Sequence, residues 1–163
     1  MKYIYTWVFI FLLSAVVVNG QSITLQYKGI TDNLGSAPFS KDEVPILAVT
    51  GGFATAMPGG TNFQFTNYTV TKAFDPSSIN MMRDLANGKR GDIAIFRFYG
   101  PANEVLKTIT LEDVYIVSYQ MGASECDDCP NVTESVNIDF GKVKVEEHVK
   151  NLVFTISKNT TNN

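Results

Sequence analysis

Ile109-Thr110-Leu111-Glu112-Asp113-Val114 runs directly into Tyr115-Ile116-Val117-Ser118-Tyr119, and after a loop the chain resumes as Thr133-Glu134-Ser135-Val136-Asn137-Ile138-Asp139-Phe140-Gly141-Lys142-Val143. In the last of these segments Val136, Ile138 and Phe140 alternate with Ser135, Asn137 and Asp139. That period of two describes a strand with one dry face and one wet face. Val114-Tyr115-Ile116-Val117 is instead apolar on both faces, as is Ala94-Ile95-Phe96. One face of such a strand fills a core, and the other needs cover from a helix or another subunit. Glu112-Asp113 falls where two strands are expected to meet. Adjacent strand residues point to opposite faces, so the pair reads as part of a turn rather than as two cooperating catalytic carboxylates.

Outside this stretch short strand signals dominate, with one convincing helix near the middle. Asp75 can cap it, Pro76 suits its first position, and Asn87-Gly88 can end it. Helical spacing puts Ile79, Met82 and Ala86 on one face with Met81 and Leu85 beside it, and turns Arg83 and Asp84 outward. The pattern is mainly β: a barrel or sandwich of short strands with one helix.

These segments, in this order, resemble the haemolysin-coregulated protein (Hcp) family, the tube subunit of type VI secretion. Leu111-Glu112 with Val114, the strand ending near Ser118, and Thr133-Glu134 with Val136, Ile138 and Phe140 carry the likeness. Tyr27-Lys28-Gly29-Ile30, the charged run Lys41-Asp42-Glu43 before Val44-Pro45-Ile46, Phe63-Gln64-Phe65-Thr66 and Ala86-Asn87-Gly88-Lys89 extend it. Residues 22–149 are covered. The resemblance implies an Hcp-like two-sheet β-barrel with one flanking α-helix. It also implies hexameric ring assembly around a central channel that can carry a protein cargo or effector.

The start of the chain departs from that family. Lys2 precedes an apolar run over residues 7–18, and Val18-Asn19-Gly20 supplies small residues before Gln21. This is the pattern of a secretory signal peptide, and the run falls short of the roughly 20 apolar residues that span a bilayer. The expected organisation is a signal peptide at 1–20, a barrel domain at 21–157 and a disordered polar tail at 158–163. Stable membrane insertion after cleavage is not expected. The destination is extracellular, or periplasmic in a bacterial host.

Cleavage after Gly20 leaves 163 − 20 = 143 residues and removes the single charge of Lys2, taking the net charge from −3 to −4. That length supports one domain with a real core. An acidic balance with Lys89-Arg90 as its only adjacent basic pair gives no basis for nucleic-acid binding, which needs grouped cations. The glycine-rich run 51–60 lacks the Gly-Lys-Ser/Thr ending of a phosphate cradle and reads as a flexible loop between strands.

Cys126-Asp127-Asp128-Cys129 is the sharpest local feature. Glu125, Asp127 and Asp128 surround the thiols and oppose thiolate formation, which argues against redox catalysis. A zinc site would need two further ligands, and the acidic loop lacks the ordered spacing of a calcium-binding EF-hand. A disulfide between Cys126 and Cys129 suits an exported chain. His148, the only histidine, has no Gly-x-Ser-x-Gly or His-Glu-x-x-His context and reads as an exposed strand-end residue. Arg90-Gly91-Asp92 spells an adhesion tripeptide but also reads as a turn glycine between charges. Sequons at Asn67, Asn131 and Asn159 are glycosylation candidates where the host glycosylates.

No catalytic, cofactor-binding or metal residues are assigned. The expectation is a secreted, non-enzymatic structural protein forming hexameric rings. The alternative is a monomeric secreted binding or adhesion module that reuses the barrel outside any secretion machine.

Overall fold

The computed structural model describes residues 21–55, 63–123 and 132–158. Nine strands and one helix follow in the order β1 (Ser22–Tyr27), β2 (Val44–Ile46), β3 (Ala48–Thr55), β4 (Phe63–Ala73), α1 (Pro76–Ala86), β5 (Arg90–Tyr99), β6 (Val105–Ala123), β7 (Val132–Asp139), β8 (Lys142–Glu147) and β9 (Leu152–Ser157). All pairings are antiparallel, in the order β2-β1-β5-β6-β7-β4-β3, with β8 also on β6 and β9 outside β8.

The segment expected to be two strands meeting at a turn is one strand of 19 residues. Its bend is Asp113, whose φ of 57° lies in the left-handed region, a conformation that Asp tolerates better than most residues. One edge of β6 pairs with β5 along most of its length. The other edge takes β8 over residues 107–112 and β7 over residues 115–123. The handover is made by Gly141, whose N–H donates to the carbonyls of Glu112 and Asp113. A Cβ at Gly141 would sit 2.9 Å from the Asp113 carboxylate, so the corner needs a residue without one.

The bend divides the molecule into two sheets, β2-β1-β5-β6-β8-β9 and β6-β7-β4-β3. A second corner lies at Leu47, where the chain leaves β2 in one sheet and enters β3 in the other. Between the sheets lie Leu25, Tyr27, Phe96, Leu111 and Val143 from the first and Tyr68, Val70, Val136 and Ile138 from the second, with Phe140 at the corner. This is the expected two-sheet barrel, and the alternation over residues 135–140 places Val136, Ile138 and Phe140 inward as read.

Gly51 and Gly52, expected in a flexible loop, belong to β3. Gly51 crosses the ring of Tyr68, and a Cβ there would lie 2.6 Å from its Cγ. The two strands can pair at that point only because the side chain is missing. Residues 56–60 of the same glycine-rich run lie outside the described residues.

The helix forms where expected, with Asp75 as N-cap accepting from the Ser77 N–H and Ser78 completing the reciprocal capping pair. Its inward face is not the expected one. Ser77, Ser78, Met81 and Asp84 are buried, while Ile79 is 48% exposed and Ala86 is exposed. A polar anchor at the first turn explains the rotation: the buried ammonium of Lys72 on β4 donates to Ser78 Oγ at 3.1 Å and pairs with Asp75 at 2.9 Å. With Ser78 held inward, helical spacing brings Met81 in and leaves Ile79 out.

Among the described residues no helix is long and apolar enough to cross a membrane.

Candidate functional site

Two buried ionic clusters brace the barrel. On the second sheet Lys72 and Glu134, side chains 0% exposed, pair at 2.8 Å across β4 and β7. The Lys72 ammonium also reaches the Ala73 carbonyl, and the Tyr119 hydroxyl donates to the second Glu134 oxygen. Burial, and then that bond to a carboxylate, push the Tyr119 phenol far above its ordinary value. On the first sheet Glu43, just before β2, accepts from Thr24 at 2.7 Å, Tyr99 at 2.7 Å and Arg97 at 2.9 Å. Burial, and then the bond to Glu43, raise the Tyr99 phenol to about 12. Sequence reading missed these residues as a group. Lys72 and Glu134 follow the inward parity of Tyr68-Val70 and precede that of Val136-Ile138, which is the signal that could have found them.

The outward face of the second sheet has a different character. Thr50, Thr69, Asn137 and Ser118 lie in register across four strands, and Ala48, Thr71, Ser135 and Gln120 form the next row. Thr69 donates to Asn137 Oδ1 at 2.5 Å, and Asn137 Nδ2 donates to Ser118 at 2.6 Å. These eight side chains are short or uncharged, so the face is wet without being ionic. Asp139, the charge next along β7, accepts from Tyr115, Lys158 and the Phe140 N–H. Burial raises its pKa, but those three donors outweigh it and hold the carboxyl below its usual value.

Among the described residues, apolar side chains gather at both ends of the barrel. At one, Phe154 of β9 stacks on Phe53 of β3 with ring centres 5.4 Å apart, and Phe53 packs edge-on against Phe63 at 5.9 Å. Leu152 and Val153 beside them are 61% and 62% exposed. At the other, Phe74, Met121, Gly122, Ala123 and Val132 line a hollow of about 420 Å³.

The sequence candidates fall as follows. His148 lies in the turn after β8, where its N–H donates to the Leu106 carbonyl and its Nε2 lies 2.8 Å from Thr108 Oγ1. The pair straps the turn to β6, and no carboxylate hydrogen-bonded to the imidazole is found among the described residues. Arg90-Gly91-Asp92 is not a turn: it opens β5 in extended form, because Gly91 crosses the ring of Tyr27, with Arg90 paired to Asp113 and Asp92 to Lys28. Glu112 pairs with Lys142, so it and Asp113 answer to separate cations. Asn67 is exposed at a bulge of β4 opposite Gly51. Cys126, Cys129, Asn131 and Asn159 lie outside the described residues, as do residues 1–20. Lys158, assigned by sequence to the tail, is tied by its N–H to the Gly141 carbonyl.

Among the described residues no three His, Cys, Asp or Glu side chains converge as a metal site would need. Among the described residues the arrangement offers a wet uncharged sheet face and apolar side chains gathered at the two ends.

Comparison with known proteins gives one family. Residues 35–146 match the model of the type VI secretion system effector Hcp. The crystal structure of Hcp1 from Salmonella typhimurium superposes with a TM-score of 0.71 at 21% identity, covering 83% of this chain and 92% of that one. A structure of Hcp1 from E. coli EAEC 042 gives 0.72 at 17% identity, covering 85% and 99%. A type VI secretion system effector from Yersinia pestis gives 0.67 at 19% identity, covering 83% and 98%. No curated protein matches the chain.

Proposed function

The chain belongs to the Hcp family of type VI secretion proteins, and from that premise we propose that it is a secreted, non-enzymatic structural subunit whose copies close into hexameric rings. The observation that carries this reading is the sheet face built from Thr50, Thr69, Asn137, Ser118, Thr71, Ser135 and Gln120. A channel through which folded or partly folded protein moves has to be wetted without holding its cargo. Charged walls would bind counter-charged cargo over a Debye length of about 8–10 Å, and apolar walls would bind exposed hydrophobic surface. Short hydroxyl and amide side chains, with Thr69, Asn137 and Ser118 already bonded to one another, do neither. In the ring this face lines the channel and a protein cargo or effector is the partner. The leader at 1–20 sends the subunit out of the cell, or into the periplasm of a bacterial host, with Cys126 and Cys129 joined there as a disulfide.

The test is the solution mass of the chain from Gln21 onward, by light scattering after size exclusion, together with electron-microscope images of the particles. A mass of six subunits and a ring with a central hole support the proposal. A monomer over a wide concentration range overturns it and leaves a monomeric binding or adhesion module as the reading.

A further inference from the structure

Building on the leader proposed above, we infer that Gln21 is a modification site: freed by cleavage after Gly20, it closes into an N-terminal pyroglutamyl lactam. Removing residues 1–20 turns the Gln21 nitrogen from an amide into a primary amine. An α-amine titrates near neutral pH, so a share of it is uncharged and nucleophilic there. Glutamine places its own side-chain carbonyl carbon, Cδ, where that nitrogen can reach it through a five-membered ring. The N–Cδ bond forms, the Cδ–Nε2 bond breaks, and a proton from the amine leaves with Nε2 as ammonia. No oxidant, metal or second substrate enters the balance. Ser22 and Ile23 have no amide to close, so the position of the cleavage decides the chemistry.

The fold leaves Gln21 free to react and favours the product. Gln21 is exposed, and β1 begins one residue later with Ser22 opposite Tyr99. Closing the ring therefore leaves every paired residue of β1 as it is. Gln21 lines a hollow with Ile23, Phe98, Leu106 and Lys107, and the Lys107 ammonium already lies over the Phe98 ring, 5.6 Å from its centre. A second ammonium against these apolar walls would lose hydration and meet a like charge. The lactam is neutral and avoids both. For an exported protein the gain is durability. Aminopeptidases need a free α-amine, and trimming from Gln21 would run straight into β1, where Thr24 donates to the buried Glu43 carboxylate. The lactam closes that route.

The full chain from Met1 is produced in an exporting host, recovered from the medium or periplasm, and held at neutral pH for several days. Its N-terminal peptide is then read by tandem mass spectrometry beside that of Gln21→Asn, whose shorter side chain could close only a strained four-membered ring. The expected wild-type peptide starts at residue 21, is lighter by one ammonia, and resists stepwise Edman degradation until pyroglutamyl aminopeptidase removes the lactam. The variant is expected to start at the same position with an open amine, to be trimmed by aminopeptidase, and to keep the wild-type circular dichroism spectrum. A wild-type chain that starts at residue 21 but keeps its ammonia and an open amine overturns the lactam and leaves the leader standing. A variant trimmed no faster than wild type overturns its protective role. A chain that still carries residues 1–20, or starts at another residue, overturns the cleavage and the lactam with it.

Discussion

Lys72–Glu134 and Arg97–Glu43 are the same kind of object built at two depths. In the first both side chains are 0% exposed, while in the second Glu43 is 4% exposed and Arg97 24%. The deep pair is shared by β4, β7, β6 and the first turn of α1; the shallower one ties β1 and β5 to the approach to β2. An ion that leaves water completely depends on its partner completely, whereas a partly wet ion keeps solvent in reserve. The deep cluster is therefore a point of failure and the shallow one a point of adjustment.

Removing a cation from each cluster tests this most directly. Lys72→Met strands Glu134 and loosens α1, and should cost about 3–5 kcal/mol, as breaking buried pairs does, read from the denaturant midpoint. Adding Glu134→Leu to it should recover much of that loss, because the uncompensated charge goes as well. Arg97→Met leaves Glu43 with Thr24 and Tyr99 as donors and should cost less, about 1–3 kcal/mol. A larger loss for Arg97→Met than for Lys72→Met would reverse the comparison.

Alkali should reach both clusters through their phenols. Tyr99 and Tyr27 are raised to about 12 from 10.0, Tyr99 by burial and then Glu43, Tyr27 by burial and then the charge of Asp84. Tyr119 is raised further, in the same direction. The unfolded chain loses these protons first, so their stabilisation is whole below pH 10 and declines as pH rises towards the folded values. Melting temperatures from pH 9 to 12 should fall, and Tyr99→Phe should flatten that fall while leaving the Tyr119 contribution in place. At the acid end Asp139 acts oppositely. Its lowered pKa stabilises the fold above the ordinary carboxylate range, and the benefit goes as pH drops through the folded value. Asp139→Asn should flatten the acid limb of the same profile. The smallest effect belongs to Lys28–Asp92, an exposed pair. Lys28→Ala should leave the midpoint unchanged within error, as is usual for surface ion pairs.

The sequence made the periodic parts of this fold readable and hid the parts built on exceptions. Val136, Ile138 and Phe140 announced their face because nothing interrupts the alternation. Asp75-Pro76 announced a helix because capping is local chemistry. The helix's inward face was misread because Lys72, a residue on another element, holds Ser78 inward against the apolar pattern. β6 was read as two strands because Glu112-Asp113 looks like a break; the bend is real, but it lies within one strand and is held by Gly141 from across the ladder. The uncharged face could not be recognised before the register of β3, β4, β7 and β6 brought its residues into rows. The apolar ends stayed hidden for the same reason, since Phe53 and Phe154 are a hundred positions apart in the chain.

The long strand β6 also bears on how the molecule comes into being. It pairs backwards with β5 and forwards with β7 and β8, while β1 waits for β5 and β4 waits for β7, each across about 60 residues of intervening chain. A chain emerging from its N-terminus can close β1-β2, β3-β4, β1-β5 and β5-β6 by residue 115, but the second sheet stays incomplete until the region around residue 140 has appeared. Such non-local topologies fold slowly, on the order of milliseconds to seconds. For the exported subunit proposed above, a slow start would keep the chain threadable until it has crossed the membrane.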